Sequence, residues 1–321
     1  MPRLIAWFMM AVTLVFAGTA AAQDAWPNRP IRMVVPYGAG GSTDMAARIV
    51  GAHMERTLRQ PILVENRVGG NGALGTAQVN NAPPDGYTLA MLSGSIQTVM
   101  PWSAELGFDP LRMSFIGSTH ESMYAQFVKG DSPWRTVQEL VEHIRANPNQ
   151  VVYANSGGFG IPDIGMAQLA RAVGGLRYRT MPTSGGAEQV LKLLSGDAQT
   201  QQNSATPTLP HLRTGAIRAV LILSPAWPEL QRLGVPLSRD VYGFSVRNLS
   251  AVVGPPGLPE PIRARIEEAL RLAMLDTDVL AQMDRIGELI RFRTGAEALQ
   301  DAREVLAEQR VVGEQLGRVR R

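Results

Sequence analysis

Residues 31–44, Ile31-Arg-Met-Val-Val-Pro-Tyr-Gly-Ala-Gly-Gly-Ser-Thr-Asp44, decide how this chain is expected to fold. The apolar, β-branched run at 31–35 predicts a buried strand, and Pro36 ends its hydrogen-bond ladder. The glycine-rich turn at 38–41 lets the backbone change direction at little steric cost, and residues 42–44 can cap a following helix. The stretch therefore predicts a strand, a turn and a helix whose first turn offers free backbone N–H groups to an anion.

The helix after this turn is predicted from one apolar face, made of Met45, Ala46, Ile49, Val50, Met54 and Leu58. The turn itself is not a complete dinucleotide-binding motif, because Thr43 stands where the third glycine is needed. No Gly-Lys-Ser/Thr follows, so it is not a P-loop either. Two interpretations remain open: a carboxylate cradle, or a tight connection between strand and helix.

The first 22 residues have the pattern of a secretory signal peptide. Arg3 supplies a positive charge, residues 4–17 are apolar, and Ala20-Ala21-Ala22 provides a cleavage site before Gln23. The apolar run is shorter than the roughly 20 residues of a membrane-spanning helix, and an uncleaved anchor is the alternative. Because the chain has no cysteine, a lipoprotein anchor and disulfides are excluded. We expect a Sec-exported, monomeric periplasmic protein with no direct membrane anchor.

Composition is that of a packed globular chain. Removing 22 of 321 residues leaves 299, enough for two domains. The formal charge falls only by Arg3, from +3 to +2, and the basic residues are scattered along the chain. This balance argues against a nucleic-acid partner.

Strand and helix patterns alternate along the chain, which predicts an α/β protein with a mainly parallel sheet. Thr136 with Glu139, and Thr294 with Glu297, form capping boxes that predict two helix starts. The helix-rich tail is expected to pack back onto the first lobe. The predicted division is a first lobe of residues 23–127 plus 226–321 and a second lobe of residues 128–225.

The same sequence pattern follows four of the predicted strands. It consists of small residues that can donate hydrogen bonds, at 38–43, 93–95, 155–158 and 183–186. In open α/β sheets ligands bind beyond the carboxyl ends of the strands, so two such sheets facing each other predict a cleft between lobes. Charge-assisted hydrogen bonds contribute about 1.5–3 kcal/mol each, and micromolar affinity needs about 8 kcal/mol. Three to five such donors would therefore hold a carboxylate without an arginine.

The predicted ligand-binding residues come from both lobes. They are Tyr37, Gly38, Ala39, Gly40, Gly41, Ser42, Thr43, Asp44, Ser93, Ser95, Asn155, Ser156, Gly157, Gly158, Thr183, Ser184, Gly185 and Asn203.

No catalytic, cofactor or metal site is predicted. Gly130-Asp-Ser132 resembles a Gly-Asp-Ser hydrolase motif, but Pro133 follows it and no Asp-x-x-His string is found near the C-terminus, so a turn is the preferred interpretation. The chain contains no Gly-x-Ser-x-Gly elbow. The four histidines, His53, His120, His143 and His211, stand singly without metal-ligand spacing.

Several sequence strings resemble the tripartite tricarboxylate transporter receptor family, the Bug-type extracytoplasmic solute receptors. They include Gln60-Pro-Ile-Leu-Val-Glu-Asn-Arg67, Ala82-Pro-Pro-Asp-Gly-Tyr-Thr-Leu89 and Tyr153-Ala-Asn-Ser-Gly157, as well as the opening stretch. Where the family carries an acid, this chain has Gln201, Gln202 and Asn203, whose amides are candidates for contacting a different ligand end.

The resemblance implies a two-lobed, type II periplasmic binding protein with a hinge and a central ligand cleft. In such proteins the turns matching residues 37–44 and 155–158 grip the carboxylate of a di- or tricarboxylate or a related organic or amino acid. The implied partners are membrane permease subunits. A receptor that docks a signalling protein, such as a sensor, is the alternative.

Overall fold

The computed structural model describes residues 26–157 and 159–320. The predicted signal peptide, its cleavage site and the predicted ligand residue Gly158 lie outside the described residues. Within them, strands and helices alternate and build two separate β-sheets.

The strands are β1 (Ile31–Val35), β2 (Ile62–Asn66), β3 (Thr88–Leu92), β4 (Ser114–Ser122), β5 (Tyr124–Lys129), β6 (Val152–Asn155), β7 (Arg179–Pro182), β8 (Thr200–Ser204), β9 (Ile217–Ile222), β10 (Leu249–Gly254) and β11 (Glu288–Thr294). The first sheet has the order β11-β4-β10-β3-β1-β2, and the second has the order β7-β6-β8-β5-β9.

The α-helices are α1 (Ser42–Leu58), α2 (Ala73–Asn80), α3 (Met100–Ser103), α4 (Val137–Ala146), α5 (Ile161–Ala172), α6 (Gly186–Ser195), α7 (Ala205–Arg213), α8 (Pro228–Arg232), α9 (Ser238–Tyr242), α10 (Glu260–Leu275), α11 (Thr277–Arg285) and α12 (Gly295–Gln315). A π-helical turn covers Ser95–Val99, and 3₁₀ turns cover Gly70–Gly72 and Pro110–Arg112. Both predicted capping boxes are formed, at the starts of α4 and α12.

The expectation of a mainly parallel sheet is wrong for half of each sheet. Strands β1, β2 and β3 pair in parallel, as do β6, β7 and β8. By contrast, β10 runs antiparallel to β3 and β4, and β5 runs antiparallel to β8 and β9. The antiparallel pairs follow from chain crossings between sheets, which bring β5 and β10 in from the opposite direction, and such mixed sheets are common in α/β folds.

Each sheet is covered by helices on both faces. Alternation along β1 places Ile31, Met33 and Val35 in a cluster with α1 and α10, while Val34 points to a second cluster with α2 and α12. In the second sheet, Tyr153 packs with α4 and α5, and Phe127 packs with α6, α7 and Trp227. Alternate side chains of each strand pack against opposite helical layers. Because a shift by one residue would exchange the two faces, this packing fixes the register of each sheet.

The sheet to which each strand belongs bears on where the chain passes between the lobes, for which the sequence predicts 127/128 and 225/226. Strand β5 lies wholly in the second sheet, and β4 ends in the first sheet at Ser122. After β9, Trp227 and Val246 still pack in clusters of the second sheet, and β10 returns to the first. We propose lobe boundaries at Met123 and Arg247. Below, lobe 1 means the six-stranded sheet with its helices and lobe 2 the five-stranded sheet with its helices.

The tail joins lobe 1, where β10 and β11 complete its sheet. The C-terminal helix α12 packs on β4, and Arg171 of lobe 2 donates to Gln315 at its end. Among the residues that the structure describes, no helix combines the length and the apolar character needed to cross a bilayer.

Candidate ligand-binding site

Two helix N-termini, one from each lobe, open onto the same cavity. Helix α1 begins after Gly41 and helix α6 begins after Gly185, and neither N-terminus is capped by a side chain. The first N–H groups of an α-helix have no partner within the helix. At α1 the backbone N–H groups of Ser42 and Thr43 therefore remain available, because the bond to the carbonyl of Gly41 comes from Met45. The positive ends of both helix dipoles thus meet at one place.

The cavity between the lobes is small and polar, with a volume of about 50 Å³. It is lined by Tyr37, Gly41, Ser42, Thr43, Asn71, Ser93, Ser95, Tyr124, Ser156, Pro162, Gly185, Gly186, Gln189, Asn203, Ser204 and Asn248. None of these lining residues is an acid, a lysine or an arginine. Because one water needs roughly 10–15 Å³ by this measure, the cavity accommodates a few water-sized groups.

The cavity lies at the carboxyl ends of strands from both sheets. Residues directly after β1, β3 and β6 line it, namely Tyr37, Ser93 and Ser156, together with Ser204 at the end of β8. This is the edge where open α/β sheets bind ligands. Small residues at these turns leave the backbone accessible and add hydroxyl groups, so the site presents neutral hydrogen-bond donors on several sides.

The two lobes touch each other beside the cavity. The backbone N–H of Gly38 donates to the carbonyl oxygen of Ser184 at 2.9 Å, and the N–H of Ile161 donates to Ser95 Oγ at 3.0 Å. A Cβ atom added to Gly38 would lie 3.0 Å from Ser184 Oγ. Any larger residue at position 38 would press on Ser184, so glycine favours this close backbone contact between the lobes.

Half of the predicted ligand residues line the cavity: Tyr37, Gly41, Ser42, Thr43, Ser93, Ser95, Ser156, Gly185 and Asn203. Of the others, Gly157, Thr183 and Ser184 lie at a neighbouring opening that also includes Tyr37 and Ser156. Gly38, Ala39, Gly40, Asp44 and Asn155 line neither space. Gly38 and Ser184 instead form the contact between lobes described above.

Asp44 supports the glycine turn from behind. Its carboxylate accepts from the Gly40 N–H at 2.9 Å, from Arg48 at 2.9 Å and from Asn66 at 2.9 Å. Burial alone would raise the pKa of Asp44, but these hydrogen bonds and the charge of Arg48 lower it below its usual value. An ionised Asp44 thus fixes the turn that leads into α1, without facing the cavity.

Asn155 has the same kind of role in lobe 2. Its amide nitrogen donates to Asp163 at 2.8 Å, and its amide oxygen accepts from the Gly157 N–H at 3.2 Å. Thr183 Oγ1 donates to the Asn155 carbonyl oxygen at 2.8 Å. These bonds hold the turn after β6 against the turn after β7, so that Ser156 and Gly185 reach the cavity.

The hydroxyl groups of the cavity remain neutral. Tyr37 donates to or accepts from Ser93 at 2.8 Å, and burial raises the pKa of Tyr37 to about 12. Burial also raises the pKa of Tyr124 well above its usual value. A neutral phenol can donate a hydrogen bond to an anion, and the raised pKa values keep both phenols protonated.

A buried carboxyl group stands behind the cradle. Glu288 accepts hydrogen bonds from Ser42 of lobe 1, at 2.6 Å, and from Thr206 of lobe 2. His120 Nε2 lies 3.6 Å from its other oxygen. Burial raises the pKa of Glu288 to about 7 and lowers the pKa of His120 to about 3. Near pH 6 both groups are therefore neutral, and the pair is not an ion pair.

Sequence reasoning missed seven lining residues: Asn71, Tyr124, Pro162, Gly186, Gln189, Ser204 and Asn248. Gly186 and Gln189 lie in the first turn of α6, and the glycine-rich stretch before this helix was a sequence signal that could have indicated them. Asn71 lies in a Gly-Gly-Asn-Gly turn with a left-handed backbone, φ +52°. Tyr124 and Asn248 flank the two crossings between lobes, which carry no sequence signal of their own.

Three other sequence candidates lie away from the cavity. Gln201 and Gln202 are buried in β8, where Gln202 donates to Gln126 and Gln201 accepts from Asn203. Ser132 follows β5 in a turn and accepts from the Trp134 N–H at 3.1 Å. Successive side chains of a strand point to opposite faces, so Gln202 points away from the face on which Asn203 reaches the cavity.

Two α/β lobes that close on a polar cavity at their strand ends define the solute-binding class of proteins. A family model described as tripartite tricarboxylate transporter family receptor matches residues 46–287 of the chain. The chain belongs to this family, whose members are solute-binding receptors, and the resemblance found in the sequence is confirmed.

Individual relatives agree with this assignment. Protein BugT of Bordetella pertussis is 31% identical over 255 residues, covering 74% of this chain and 75% of the relative. The structure of the periplasmic binding protein BugD covers 92% of this chain and 100% of its own, with a TM-score of 0.86 and 24% identity, and supports the fold. MatC from Rhodopseudomonas palustris, solved with bound malate, has a TM-score of 0.84 and 25% identity, covering 89% of this chain and 99% of its own. The predicted two-lobed periplasmic binding fold is confirmed.

Proposed function

We propose that this protein captures a small carboxylate by closure of its two lobes and delivers it to a tripartite tricarboxylate-type transporter. The observation that carries the proposal is the meeting of two uncapped helix N-termini, at Ser42 and Gly186, on one cavity without charged side chains. Helix N-termini bind anions through free N–H groups and the helix dipole.

The chemistry of the lining accounts for both binding and release. A desolvated carboxylate must be well hydrogen-bonded, because an unpaired buried charge is very costly. Backbone N–H groups of α1 and α6, with hydroxyls such as Thr43 and Ser156, supply donors from both lobes. At about 1.5–3 kcal/mol per charge-assisted bond, four donors reach the roughly 8 kcal/mol of micromolar binding. Neutral donors avoid the strong attraction of a buried ion pair and so permit release.

The size of the cavity favours a compact ligand. A closed volume of about 50 Å³ leaves little room for a long ligand, and the related MatC was solved with bound malate, a short dicarboxylate. A longer acid would require the lobes to remain further apart, which would break the Gly38–Ser184 contact. We therefore assign the ligand to short di- or hydroxycarboxylates.

The test is a thermal-shift screen of the mature protein against short and long dicarboxylates, tricarboxylates, amino acids and the neutral diamides of the same acids. Every hit is followed by calorimetry. The proposal expects a short carboxylate to raise the melting temperature and to bind with a stoichiometry of one, while its diamide does not. Equal binding of acid and diamide, or no hit among the carboxylates, would overturn it.

Export is part of the same proposal. We infer that the chain is secreted through the Sec pathway and cleaved after Ala22, because residues 1–22 combine Arg3, an apolar run and an Ala-Ala-Ala site. Intact-mass analysis of the periplasmic fraction should give a chain starting at Gln23. A full-length chain in the membrane fraction would contradict this part of the proposal.

A further inference from the structure

A buried histidine nitrogen in lobe 1 faces two carboxylates on the side of α1 away from the cavity. His53 lies on α1 and is 8% exposed, and its Nε2 atom has no hydrogen-bond partner. Asp276 Oδ1 lies 3.8 Å from this atom, and one ligand atom of each of His53, Asp276 and Asp278 lies within 4.8 Å of the other two. These three residues are called the His53 cluster.

The other ring nitrogen of His53 carries a proton. Nδ1 lies 3.0 Å from the carbonyl oxygen of Ile49, which can only accept, so Nδ1 must be the donor. Nε2 is then the nitrogen left for a ligand, and Asp276 Oδ1 lies 3.8 Å from it. A histidine that donates through one nitrogen to a backbone carbonyl and presents the other nitrogen is the arrangement found at metal sites.

The distance of 3.8 Å is too long for a hydrogen bond and is compatible with a metal ion or with an ion pair. An N–H···O bond requires about 2.7–3.2 Å between heavy atoms, so Nε2 and Oδ1 are not hydrogen-bonded. Two ligands on one Zn²⁺, each bonded at about 2.0–2.2 Å, lie roughly 3.3–3.8 Å apart in tetrahedral or slightly opened geometry. The observed separation therefore equals the spacing that two ligands of one Zn²⁺ would have.

The remaining groups of the cluster fit this role. Asp276 caps helix α11 by accepting the Asp278 N–H at 2.8 Å, which fixes its carboxylate, and Arg56 contacts its other oxygen at 3.3 Å. Asp278 is exposed, so its side chain can turn toward the site. With one neutral imidazole and two carboxylates, the donor set suits zinc and neighbouring transition metals better than magnesium or calcium, which prefer oxygen ligands alone.

We propose that the His53 cluster binds a divalent transition-metal ion of the Zn²⁺ type. The ion would tie helix α1, whose first residues form the anion cradle, to the junction between α10 and α11. Spacing along the sequence could not indicate this site, because more than 200 residues separate His53 from Asp276. The proposal does not depend on the carboxylate ligand of the cleft.

The test is calorimetric titration of the tag-free mature protein with Zn²⁺ after chelator treatment, with Mg²⁺ and Ca²⁺ in parallel. We expect one saturable Zn²⁺ site and at least tenfold weaker binding of Mg²⁺ and Ca²⁺. Loss of an outer-shell partner already lowers metal affinity about 10–100-fold, so His53→Gln and Asp278→Asn should each lower Zn²⁺ affinity at least tenfold. The matched controls His211→Gln and Asp240→Asn, at residues outside the cluster, should leave the affinity unchanged.

Asp278→Asn decides the question if His53→Gln disturbs the fold, because Asp278 is exposed and donates only its backbone N–H to Asp276. A second readout is Cu²⁺ paramagnetic resonance, which should show one nitrogen ligand that disappears in His53→Gln. Absence of saturable Zn²⁺ binding, or binding that is unchanged in Asp278→Asn, would overturn the proposal.

Discussion

Glu288 offers the sharpest test of how the two lobes meet, because one buried carboxyl group contacts both of them. Its Oε1 accepts from Ser42 and from Thr206, and its Oε2 has no hydrogen-bond partner and faces His120. Since burial raises the pKa of Glu288 to about 7, ionising this group is costly in the folded protein. The perturbation is Glu288→Gln, which keeps the accepting oxygen and places a donating N–H toward His120.

The sign of the pH effect follows from linkage. Between its ordinary pKa of 4.5 and the folded value of about 7, Glu288 binds more protons in the folded than in the unfolded state. Its contribution to stability is therefore complete below pH 4.5 and is lost as the pH rises through 7. The pKa of Glu288 is higher by about 2.5 in the folded than in the unfolded protein, and each unit corresponds to about 1.36 kcal/mol. The free energy of unfolding therefore changes by about 3 kcal/mol in total, and about 2–3 kcal/mol of this change occurs between pH 5 and 8.

His120 acts in the opposite direction. Burial lowers its pKa from 6.5 to about 3, so the stability it contributes is present above pH 6.5 and is lost as the pH falls toward 3. In the wild-type protein the stability contribution of Glu288 falls with rising pH while that of His120 increases, so the two changes offset each other between pH 4.5 and 6.5. The quantity to compare is therefore the difference between variant and wild type, in which the His120 contribution cancels.

The assay is urea unfolding at pH 5, 6, 7 and 8, followed by near- and far-ultraviolet circular dichroism. The free energy of unfolding of Glu288→Gln, relative to wild type, should rise by about 2–3 kcal/mol from pH 5 to pH 8. Glu142→Gln, a change at an exposed position on α4, should show a flat difference. A flat difference for Glu288→Gln as well would refute the reasoning.

Three further predictions concern the cleft. Thr43→Val removes a cavity hydroxyl at the start of α1, and calorimetry with the identified ligand should show at least a tenfold loss of affinity, about 1.4 kcal/mol, with the melting temperature nearly unchanged; equal affinity would contradict the cradle. Gly38→Val introduces side-chain atoms next to Ser184, so small-angle scattering with saturating ligand should show less compaction than wild type, and equal compaction would contradict the closed contact. Asp44→Asn removes a carboxylate whose pKa is lowered in the folded protein, so Asp44 stabilises the fold above pH 3.8 and this stabilisation is lost on acidification. By urea unfolding, the free energy of unfolding of the variant should be lower than that of the wild type by about 1–3 kcal/mol at pH 7 but by little at pH 2–3. An equal loss at both pH values would contradict this role.

The elements that sequence predicted best have strong local signals. The strand at 31–35, the glycine turn and α1 follow from a β-branched run, a proline and a periodic apolar face. The capping boxes at Thr136 and Thr294 mark helix starts correctly because the pattern is itself a set of hydrogen bonds within four residues. Such features are decided locally and need no knowledge of the partner lobe.

The features that sequence did not predict depend on distant contacts. Strand β11 supplies Glu288 only because it pairs with β4, and α7 forms although Pro210 lies inside it. The crossings that we propose at Met123 and Arg247 have no local signature, so the sequence offers no direct evidence for the position of the lobe boundaries. Asp44 and Asn155 illustrate the same limit in the site: residue type predicts a ligand contact, but it does not reveal the hydrogen bonds that Arg48 and Asp163 make to them.

Amide hydrogen exchange can show whether main-chain donors from both lobes hold one anion. The mature protein is compared with and without saturating ligand, and exchange is measured at residues 42–44 of α1 and 186–188 of α6. The account predicts that both segments exchange more slowly when the ligand is bound, and that Thr43→Val weakens the protection at the same ligand concentration. Protection of only one segment, or protection elsewhere with both segments unchanged, would contradict it.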